Sequence, residues 1–194
     1  MIIRPESKTL ITPEYKEELF DLHAKSLWGN TGGKYVGDSV VRLLKDNPDI
    51  KTILDYGCGA ATLKKWVEDN GITDKEWTLY DPAVKIYDKE PTGKFDLVIS
   101  TDVLEHVEEI MLNNVIKNLQ SLTGKFLLSE IACYLCNCKF ENGPYAGQDM
   151  HISLKAPDAW RLRLEHPDFD DVESISYVID YWKVRYFLLQ KVRS

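Results

Sequence analysis

Short apolar runs, separated by glycine, proline and charged residues, divide the chain into alternating strands and helices. Buried strands are predicted at Thr52–Asp55, Trp77–Tyr80 and Phe95–Thr101, where apolar residues follow one another and an aspartate ends or follows each run. Apolar residues at i, i+3 and i+4 spacing predict helices that open at Ala60 and continue from Val107. This alternation predicts an α/β fold with a mostly parallel central sheet.

Two amphipathic helices are predicted before the first strand. Thr12 has the position of an N-cap followed by proline, and the apolar face of this helix continues through Leu27. The glycine-rich segment Trp28–Gly33 separates the first helix from the second. We therefore expect one domain, in which residues 1–50 form an N-terminal helical cap and residues 51–194 form the core.

The C-terminal half adds one long strand, one short helix and two late strands. The long strand is predicted over Gly124–Ile131, and a loop with several turn-forming residues follows over Cys136–Met150. A short helix is predicted to begin at Pro157. The two late strands are expected near Val172–Val178 and Val184–Val192.

The junction between the first strand and the next helix has the sequence Asp55-Tyr-Gly-Cys-Gly59. Its glycines permit a tight turn and expose backbone amides at close range, and the following helix N-terminus adds further donors. The motif is one glycine short of the dinucleotide fingerprint and lacks the lysine of a phosphate loop. Because an acid at the entrance repels phosphate, the junction suits a polar ligand that carries a cationic group.

Two further motifs lie at later strand ends. Asp81 follows the second strand, where a carboxylate can accept both hydroxyls of a ribose. The strand Phe95–Thr101 runs directly into Asp102-Val-Leu-Glu-His106. Together with the glycine turn at residues 55–59, these motifs resemble those of class I S-adenosylmethionine-dependent methyltransferases, and the resemblance covers roughly residues 50–132.

The resemblance implies a Rossmann-like three-layer sandwich with an antiparallel C-terminal strand, and S-adenosylmethionine as the cofactor. It also implies that the N-terminal cap covers the cofactor and shapes the substrate pocket. The cofactor-binding residues are then expected at the glycine turn and the strand ends: Asp55, Gly57, Cys58, Gly59, Tyr80, Asp81, Pro82, Thr101, Asp102 and His106.

One segment departs from the family pattern. The family usually places a helix and a third strand after the acid at the second strand end, but here only the thirteen residues Pro82–Lys94 intervene. This length is too short for both elements and their turns, so we expect a truncated crossover. The acid that often holds adenine has no counterpart, and adenine is expected to contact Tyr80, Pro82 or Thr101, or backbone amides.

Few residues of the chain are candidates for the chemical step, because methyl transfer depends mainly on alignment and needs a base only for a protonated acceptor. His106, which is expected at the start of the helix that continues from Val107, and His151, in the loop after the long strand, are the candidate bases. A structural role is the alternative for each. Trp28, in the predicted cap, is a candidate to bind substrate or to pack the cap onto the core. His23 and His166 lie outside the motifs, and we expect them to be structural or exposed to solvent.

A metal site is an alternative use of the same motif. Asp102, Glu105 and His106 are spaced i, i+3 and i+4, and His151 completes a set of side chains suited to a divalent ion. The set resembles that of metal-dependent small-RNA 2′-O-methyltransferases and, in part, ubiquinone-pathway O-methyltransferases. The RNA enzymes have glutamate at the position of Asp102, and many relatives use no metal, so we expect none here.

Composition limits the partners of this chain. It has 194 residues, a formal net charge of −7 and a sequence pI near 5.2, which disfavours broad binding to a phosphate backbone. No apolar run is long enough to span a membrane, and the first residues lack the apolar core of a signal peptide. Three of the four cysteines, at 133, 136 and 138, are close together without a fourth zinc ligand, which indicates a reducing, cytoplasmic location.

The sequence therefore favours a methyltransferase that acts on an oxygen or nitrogen atom of a small molecule or of a modified nucleoside or sugar. A metal-assisted RNA 2′-O-methyltransferase is one alternative, and a non-catalytic, cofactor-binding accessory subunit is the other. Thr101-Asp-Val-Leu104 stands where enzymes that methylate base amino groups have Asn-Pro-Pro-Tyr, which disfavours that reaction.

Overall fold

A single six-stranded sheet forms the centre of the part of the chain that the computed structural model describes, residues 9–25 and 29–193. Its strands are β1 Thr52–Tyr56, β2 Glu76–Tyr80, β3 Phe95–Thr101, β4 Thr123–Ala132, β5 Phe169–Asp180 and β6 Lys183–Val192. The strand order is β2-β1-β3-β4-β6-β5. The first four strands in this order are parallel, and β6 runs antiparallel to both β4 and β5.

Helices cover both faces of the sheet and give the three layers. They are α1 Pro13–Ala24, α2 Gly32–Asp46, α3 Thr62–Asp69, α4 Glu109–Leu122 and α5 Pro157–Leu164. Apolar residues of α2 and α3 share one core with the sheet, and those of α4 and α5 share the other. In β1, Ile53 belongs to the first core and Leu54 to the second, because successive side chains of a strand point to opposite faces.

Local capping explains where the N-terminal helices begin. The Thr12 side chain accepts a hydrogen bond from the Tyr15 amide at 3.4 Å, and Pro13 occupies the first turn of α1, where its missing N–H costs nothing. Glu108 accepts two hydrogen bonds of 2.8 Å from Thr12, one from the amide and one from the hydroxyl. These bonds tie the start of α1 to the segment before α4.

The crossover after β2 is short, as the sequence predicts. Residues 81–94 form turns, and no strand or helix is present among them. The amide of Asp81 donates to the Tyr87 carbonyl at 3.0 Å, which folds the segment back on itself. Consequently β2 is an edge strand of the sheet.

The predicted fold class is confirmed, while several element boundaries differ. The first helix ends at Ala24 rather than Leu27, and the two late strands are longer than predicted. The main difference concerns His106, which was expected at the start of α4 but lies in a separate 3₁₀ turn, Leu104–His106. The Ser153 hydroxyl donates to the Val107 carbonyl at 2.6 Å, which holds the chain extended before α4 begins. None of the described helices is long and apolar enough to cross a membrane.

Candidate functional site

A cavity of about 680 Å³ opens at the carboxyl ends of the parallel strands. The ends of β1, β2 and β3 form one side, and α1, the start of α2 and the loop before α5 form the other. Ligands of open α/β sheets bind at this edge. Most of the residues expected at a ligand site line the cavity: Asp55, Gly57, Cys58, Tyr80, Asp81, Pro82, Thr101, Asp102, His106 and His151.

The glycine turn after β1 has the conformation that its sequence predicts. Gly57 has a φ of +80°, and its amide donates to the Tyr80 carbonyl at 2.7 Å. The Cys58 amide donates to the same carbonyl at 3.0 Å, so the turn is tied to the end of β2. A Cβ atom on Gly57 would lie 2.3 Å from a methyl group of Val103, which also lines the cavity. No side chain fits at Gly57 without displacing the cavity wall.

Gly59 packs against the N-terminal cap. Its φ is +48°, and a Cβ atom there would lie 2.5 Å from the Gly29 carbonyl oxygen. The Gly29 carbonyl also accepts a hydrogen bond of 2.8 Å from the Ala60 amide. Gly59 is not among the described residues that line the cavity, so a direct contact with cofactor stays a prediction for this residue.

Asp81 is buried at the end of β2 and accepts two backbone hydrogen bonds. Its Oδ2 accepts from the Gly59 amide at 3.0 Å, and its Oδ1 accepts from the Ala83 amide at 2.9 Å. A carboxylate has about four acceptor positions, so both oxygens can still accept ligand hydroxyls. The Nε2 atom of His23 lies 3.9 Å from Asp81 Oδ2, and His23 lines the cavity. The expectation that His23 lies away from the motifs is therefore wrong, because α1 folds over the strand ends.

Asp55 is a buried carboxylate at the floor of the cavity. Burial, with repulsion from Asp81, raises the pKa of Asp55 to about 7. Its charged form is therefore costly in the ligand-free protein, and a cationic ligand would stabilise that form.

Replacing Asp55 with asparagine is expected to stabilise the ligand-free protein at pH 8 by up to about 4 kcal/mol, because the buried charge is removed. The folded protein holds a proton on Asp55 that the unfolded chain releases at its lower pKa. Wild-type stability therefore falls as the pH rises from about 4 to 7, and the advantage of Asp55→Asn should grow over that interval. Urea unfolding at pH 5 and pH 8 measures this difference.

Asp96→Asn is the matched control for this experiment. Although burial opposes it, hydrogen bonds from the Lys51 and Thr52 amides and from Lys125 lower the pKa of Asp96. This carboxylate stabilises the fold above its unfolded pKa, so Asp96→Asn should lose stability at pH 8. Equal changes in the free energy of unfolding for the two substitutions would contradict the raised pKa of Asp55.

Asp102, directly after β3, has an unusual backbone conformation, with a φ of +54°. Its Oδ2 accepts a hydrogen bond of 2.7 Å from the Thr31 hydroxyl, and its Oδ1 pairs with the Arg185 guanidinium. Burial alone would raise the pKa of Asp102, but Arg185 and Thr31 outweigh this effect and lower it. The cavity therefore presents an ionised carboxylate next to the start of α2.

Sequence reasoning missed Arg185, which lies on β6 and lines the cavity. Its guanidinium pairs with Glu130 of β4 as well as with Asp102, and it stacks on the Tyr35 ring with 3.8 Å between Cζ and the ring centroid. A signal was present, since Arg185 interrupts an apolar run in a predicted strand and arginine is almost never buried without partners. The identity of those partners could not be read from the sequence.

Glu105, His106 and His151 meet beside the cavity, with one possible ligand atom of each within 4.8 Å of the others. The Nδ1 atom of His106 donates to the Met150 carbonyl at 2.8 Å, and Nδ1 of His151 donates to the Tyr134 carbonyl. The two imidazole rings are in edge contact, with centroids 4.8 Å apart. Burial lowers the pKa of His106 to about 4 and also lowers that of His151, so both rings are neutral at neutral pH.

Glu105 is fully buried behind the two histidines. Its Oε1 accepts a hydrogen bond of 2.6 Å from the Ala132 amide, and its Oε2 has no hydrogen-bond partner among the described residues. Burial, with repulsion from Asp102, raises the pKa of Glu105 well above its usual value. Asp102 is not in this group, because Arg185 and Thr31 hold its carboxylate, which departs from the four-residue set considered from the sequence.

The cavity wall opposite the glycine turn is largely apolar and aromatic. Tyr134 contacts His151 and Trp182, with ring centroids 5.5 and 6.1 Å apart. On the α1 side, Tyr15, Leu19 and Leu22 of the helix and Ile11 just before it line the cavity. The predicted substrate contact of Trp28 lies outside the described residues.

The four cysteines are free thiols. Burial raises the pKa of Cys58 and, to about 12, that of Cys133, so both stay protonated at neutral pH. Within the described residues, Cys133, Cys136 and Cys138 do not belong to any group of three possible metal ligands.

The fold and this cavity define a Rossmann-like protein that binds its ligand at the carboxyl ends of a parallel sheet. A family model described as a methyltransferase domain matches residues 28–174, and the chain belongs to this family. A search among curated proteins gives no significant match.

Solved methyltransferase structures have the same fold. The magnesium protoporphyrin IX methyltransferase of Synechocystis PCC 6803, with bound S-adenosylmethionine, is 18% identical with a TM-score of 0.54, and the match covers 100% of both chains. The 1,6-didemethyltoxoflavin N1-methyltransferase of Burkholderia thailandensis, with bound S-adenosylhomocysteine, is 11% identical with a TM-score of 0.55 and covers 98% of this chain and 94% of that chain. Human N-acetylserotonin methyltransferase is 15% identical with a TM-score of 0.59, and the match covers 98% of this chain and 61% of that chain.

The protein is therefore a class I S-adenosylmethionine-dependent methyltransferase, as the sequence motifs indicate, and S-adenosylmethionine is its cofactor. Two features of the cavity fit this cofactor. The turn at Gly57 brings bare backbone to the cavity, and the Thr101 hydroxyl is buried without a partner among the described residues.

Proposed function

We propose that this enzyme methylates an oxygen or nitrogen atom of a small molecule, or of a modified nucleoside or sugar. The observation that carries the proposal is a single cavity that joins the glycine turn and Asp81 on one side to His106 and His151 on the other. The names of the matched structures include small-molecule substrates such as 1,6-didemethyltoxoflavin and N-acetylserotonin. The net charge of −7 supports a small acceptor over a long nucleic acid.

The cofactor is proposed to lie along the strand ends. Asp55 and Asp102 supply negative charge for the ammonium and sulfonium groups, and Asp81 accepts the ribose hydroxyls. Tyr80, Pro82 and Thr101 border the adenine in place of the missing third strand. Cys58 and Gly59 complete the turn, and His106 borders the methionine part.

Bound S-adenosylmethionine supplies an activated methyl group on sulfur, so the protein contributes mainly alignment and proton transfer. The loop before α5 is proposed to place the acceptor against His151, where Trp28 also contributes to the substrate site. Because Nδ1 of His151 donates to the Tyr134 carbonyl, the proton would be taken by Nε2. His106 is a second candidate for this role, and its Nδ1 is fixed in the same way by the Met150 carbonyl.

Asp81→Ala is expected to weaken binding of S-adenosylhomocysteine about 10- to 100-fold, or about 1.5–3 kcal/mol, because hydrogen bonds to a charged group are lost. Calorimetric titration of the purified chain measures this change and should give one site for the wild type. Asp88→Ala is the control, since Asp88 forms a surface ion pair with Lys16 at 3.7 Å. No binding to the wild type at millimolar ligand would contradict the proposed site.

A second candidate function is metal-assisted methyl transfer to a hydroxyl group, such as an RNA 2′-hydroxyl. The meeting of Glu105, His106 and His151 favours it, since both imidazoles already donate Nδ1–H to a carbonyl, as histidine ligands of metals usually do. The residues therefore fit a divalent ion. Such an ion would polarise the acceptor oxygen and lower the pKa of its hydroxyl group.

Our first proposal needs no metal, and we predict that EDTA leaves S-adenosylhomocysteine affinity and turnover unchanged. The second candidate predicts instead that activity is lost and that Mg²⁺ or Mn²⁺ restores it. Titration with Mn²⁺, followed by its paramagnetic resonance signal, detects an ion directly and needs no acceptor. Saturable Mn²⁺ binding that Glu105→Gln abolishes would favour the second candidate over the first.

A further inference from the structure

We propose that Arg185 is a positioning residue on β6, which holds the Asp102 carboxylate and the Tyr35 ring in place at the cavity wall. This inference rests on the proposed function only in assigning Asp102 to the cofactor side of the cavity. It predicts that cofactor binding depends on Arg185 through Asp102.

The Arg185 side chain crosses the carboxyl end of the sheet. It starts on β6, where Arg185 pairs with Ala132, and passes over β4 to reach the residue after β3. Only 1% of Arg185 is exposed, and Glu130, its partner on β4, is fully buried. The Tyr177 hydroxyl donates to Glu130 at 2.8 Å, so the carboxylate that holds the guanidinium is itself fixed.

Asp102 needs such support because its backbone is in the left-handed region, which is strained for a residue with a side chain. Its amide donates to the Glu130 carbonyl at 3.0 Å, and its carboxylate is held by Arg185 and by the Thr31 hydroxyl. Backbone and side chain are thus restrained together. Strained residues that their surroundings hold firmly are frequent at ligand sites.

Arg185 also connects the sheet to the N-terminal cap. Its guanidinium lies over the ring of Tyr35 in α2, with Cζ 3.8 Å from the ring centroid, while the hydroxyl of Thr31, just before α2, donates to Asp102. Both Thr31 and Tyr35 line the cavity. The Arg185 guanidinium thereby positions both the end of β3 and the part of the cavity wall that α2 forms. Neither lysine nor a neutral side chain has the planar, forked set of donors that these contacts require.

The positive charge of Arg185 keeps the two neighbouring carboxylates in place. Two carboxylates, Asp102 and Glu130, share the guanidinium in a largely buried setting. Without the cation they would repel each other and lack compensation, so Asp102 would leave its strained position or take up a proton. In either case the cavity would lose a fixed negative charge.

A double-mutant cycle tests the proposal, with calorimetric titration of S-adenosylhomocysteine as the measurement. Arg185→Met and Asp102→Asn are each expected to weaken binding at least tenfold, and the double variant should bind no more weakly than the weaker single variant. Arg185→Lys, which keeps the charge but loses the fork, should bind several-fold more weakly than the wild type. Arg161→Met is the matched control, because Arg161 pairs with Asp171 at the surface and should leave affinity unchanged.

Thermal unfolding separates this role from a purely structural one. If Arg185 only stabilises the fold, Arg185→Met will lower the melting temperature and bind normally at 10 °C, which would overturn the proposal. The proposal would also be overturned if the fold-losses of affinity in Arg185→Met and Asp102→Asn multiplied in the variant that carries both substitutions. If Arg185→Met does not fold, the double variant Glu130→Gln/Arg185→Met is used instead, because it also removes the buried carboxylate charge that Arg185 no longer neutralises. The same loss of binding is expected for this double variant. Failure of the wild type itself to bind would contradict the proposed function and the inference together.

Discussion

Replacing Gly57 with valine is expected to abolish binding of S-adenosylhomocysteine. The Gly57 backbone has a φ of +80°, which a β-branched residue rarely adopts, and the new Cβ would lie 2.3 Å from Val103. The turn would have to open, and its amides would leave the Tyr80 carbonyl that now holds them. Calorimetric titration should show at least a hundredfold loss of affinity for the variant.

Gly71→Val is a control for the backbone strain in that experiment. Gly71 has a φ of +86°, and a Cβ atom there meets no other atom within 4 Å. Both variants should therefore lose stability through backbone strain, by roughly 1–3 kcal/mol, but only Gly57→Val should lose binding. Normal binding by a folded Gly57→Val protein would show that the glycine turn does not form the cofactor site.

The residue positions that the sequence predicts correctly are those determined by local patterns. Asp55, Gly57 and Asp81 lie at strand ends, and parallel strands bring their carboxyl ends to one edge whatever the details of packing. The truncated crossover was equally predictable, because thirteen residues cannot form a helix and a strand. Their positions in the structure follow from chain connectivity alone.

The parts that could not be predicted depend on contacts between distant segments. Arg185 meets Asp102 across strand β4, and His23 reaches the strand ends because α1 folds over them. His106 was expected at a helix start, but the loop residue Ser153 holds the neighbouring chain extended instead. To predict each of these contacts, one would need the register of β6, the packing of α1 or the path of the loop before α5. The periodicity of apolar residues specifies none of these.

Those same contacts decide how the acceptor side can work. The loop before α5 contains His151 and also Met150, whose carbonyl accepts the hydrogen bond from His106. At the end of β4, the Ala132 amide donates to Glu105, and just after β4 the Tyr134 carbonyl accepts the hydrogen bond from His151. The imidazoles are thereby oriented before any substrate binds. Orientation of this kind serves a proton acceptor and a metal ligand equally, which is why the chelation experiment and the histidine substitutions are both needed.

His151→Ala is expected to reduce turnover by roughly 10²-fold or more while leaving the affinity for S-adenosylhomocysteine within about 0.5 kcal/mol. The lowered pKa keeps the ring neutral at pH 7, and its Nδ1 is committed to the Tyr134 carbonyl, so Nε2 remains the proton-accepting atom. The His151 amide also donates to the Asp149 carboxylate at 3.0 Å, and alanine retains this amide. Loop position should therefore survive the substitution.

Turnover can be followed as S-adenosylhomocysteine formation with a panel of small hydroxyl and amine acceptors, each tested with the wild type first. His166→Ala is the control, because His166 accepts a hydrogen bond from the Asp168 amide at the surface. His106→Ala, assayed beside it, separates the two candidate bases: the larger loss of turnover at unchanged donor affinity identifies the residue that takes the proton. Weakened donor binding with full turnover in His151→Ala would contradict the acceptor role of this histidine, because a residue on the cofactor side would behave in that way.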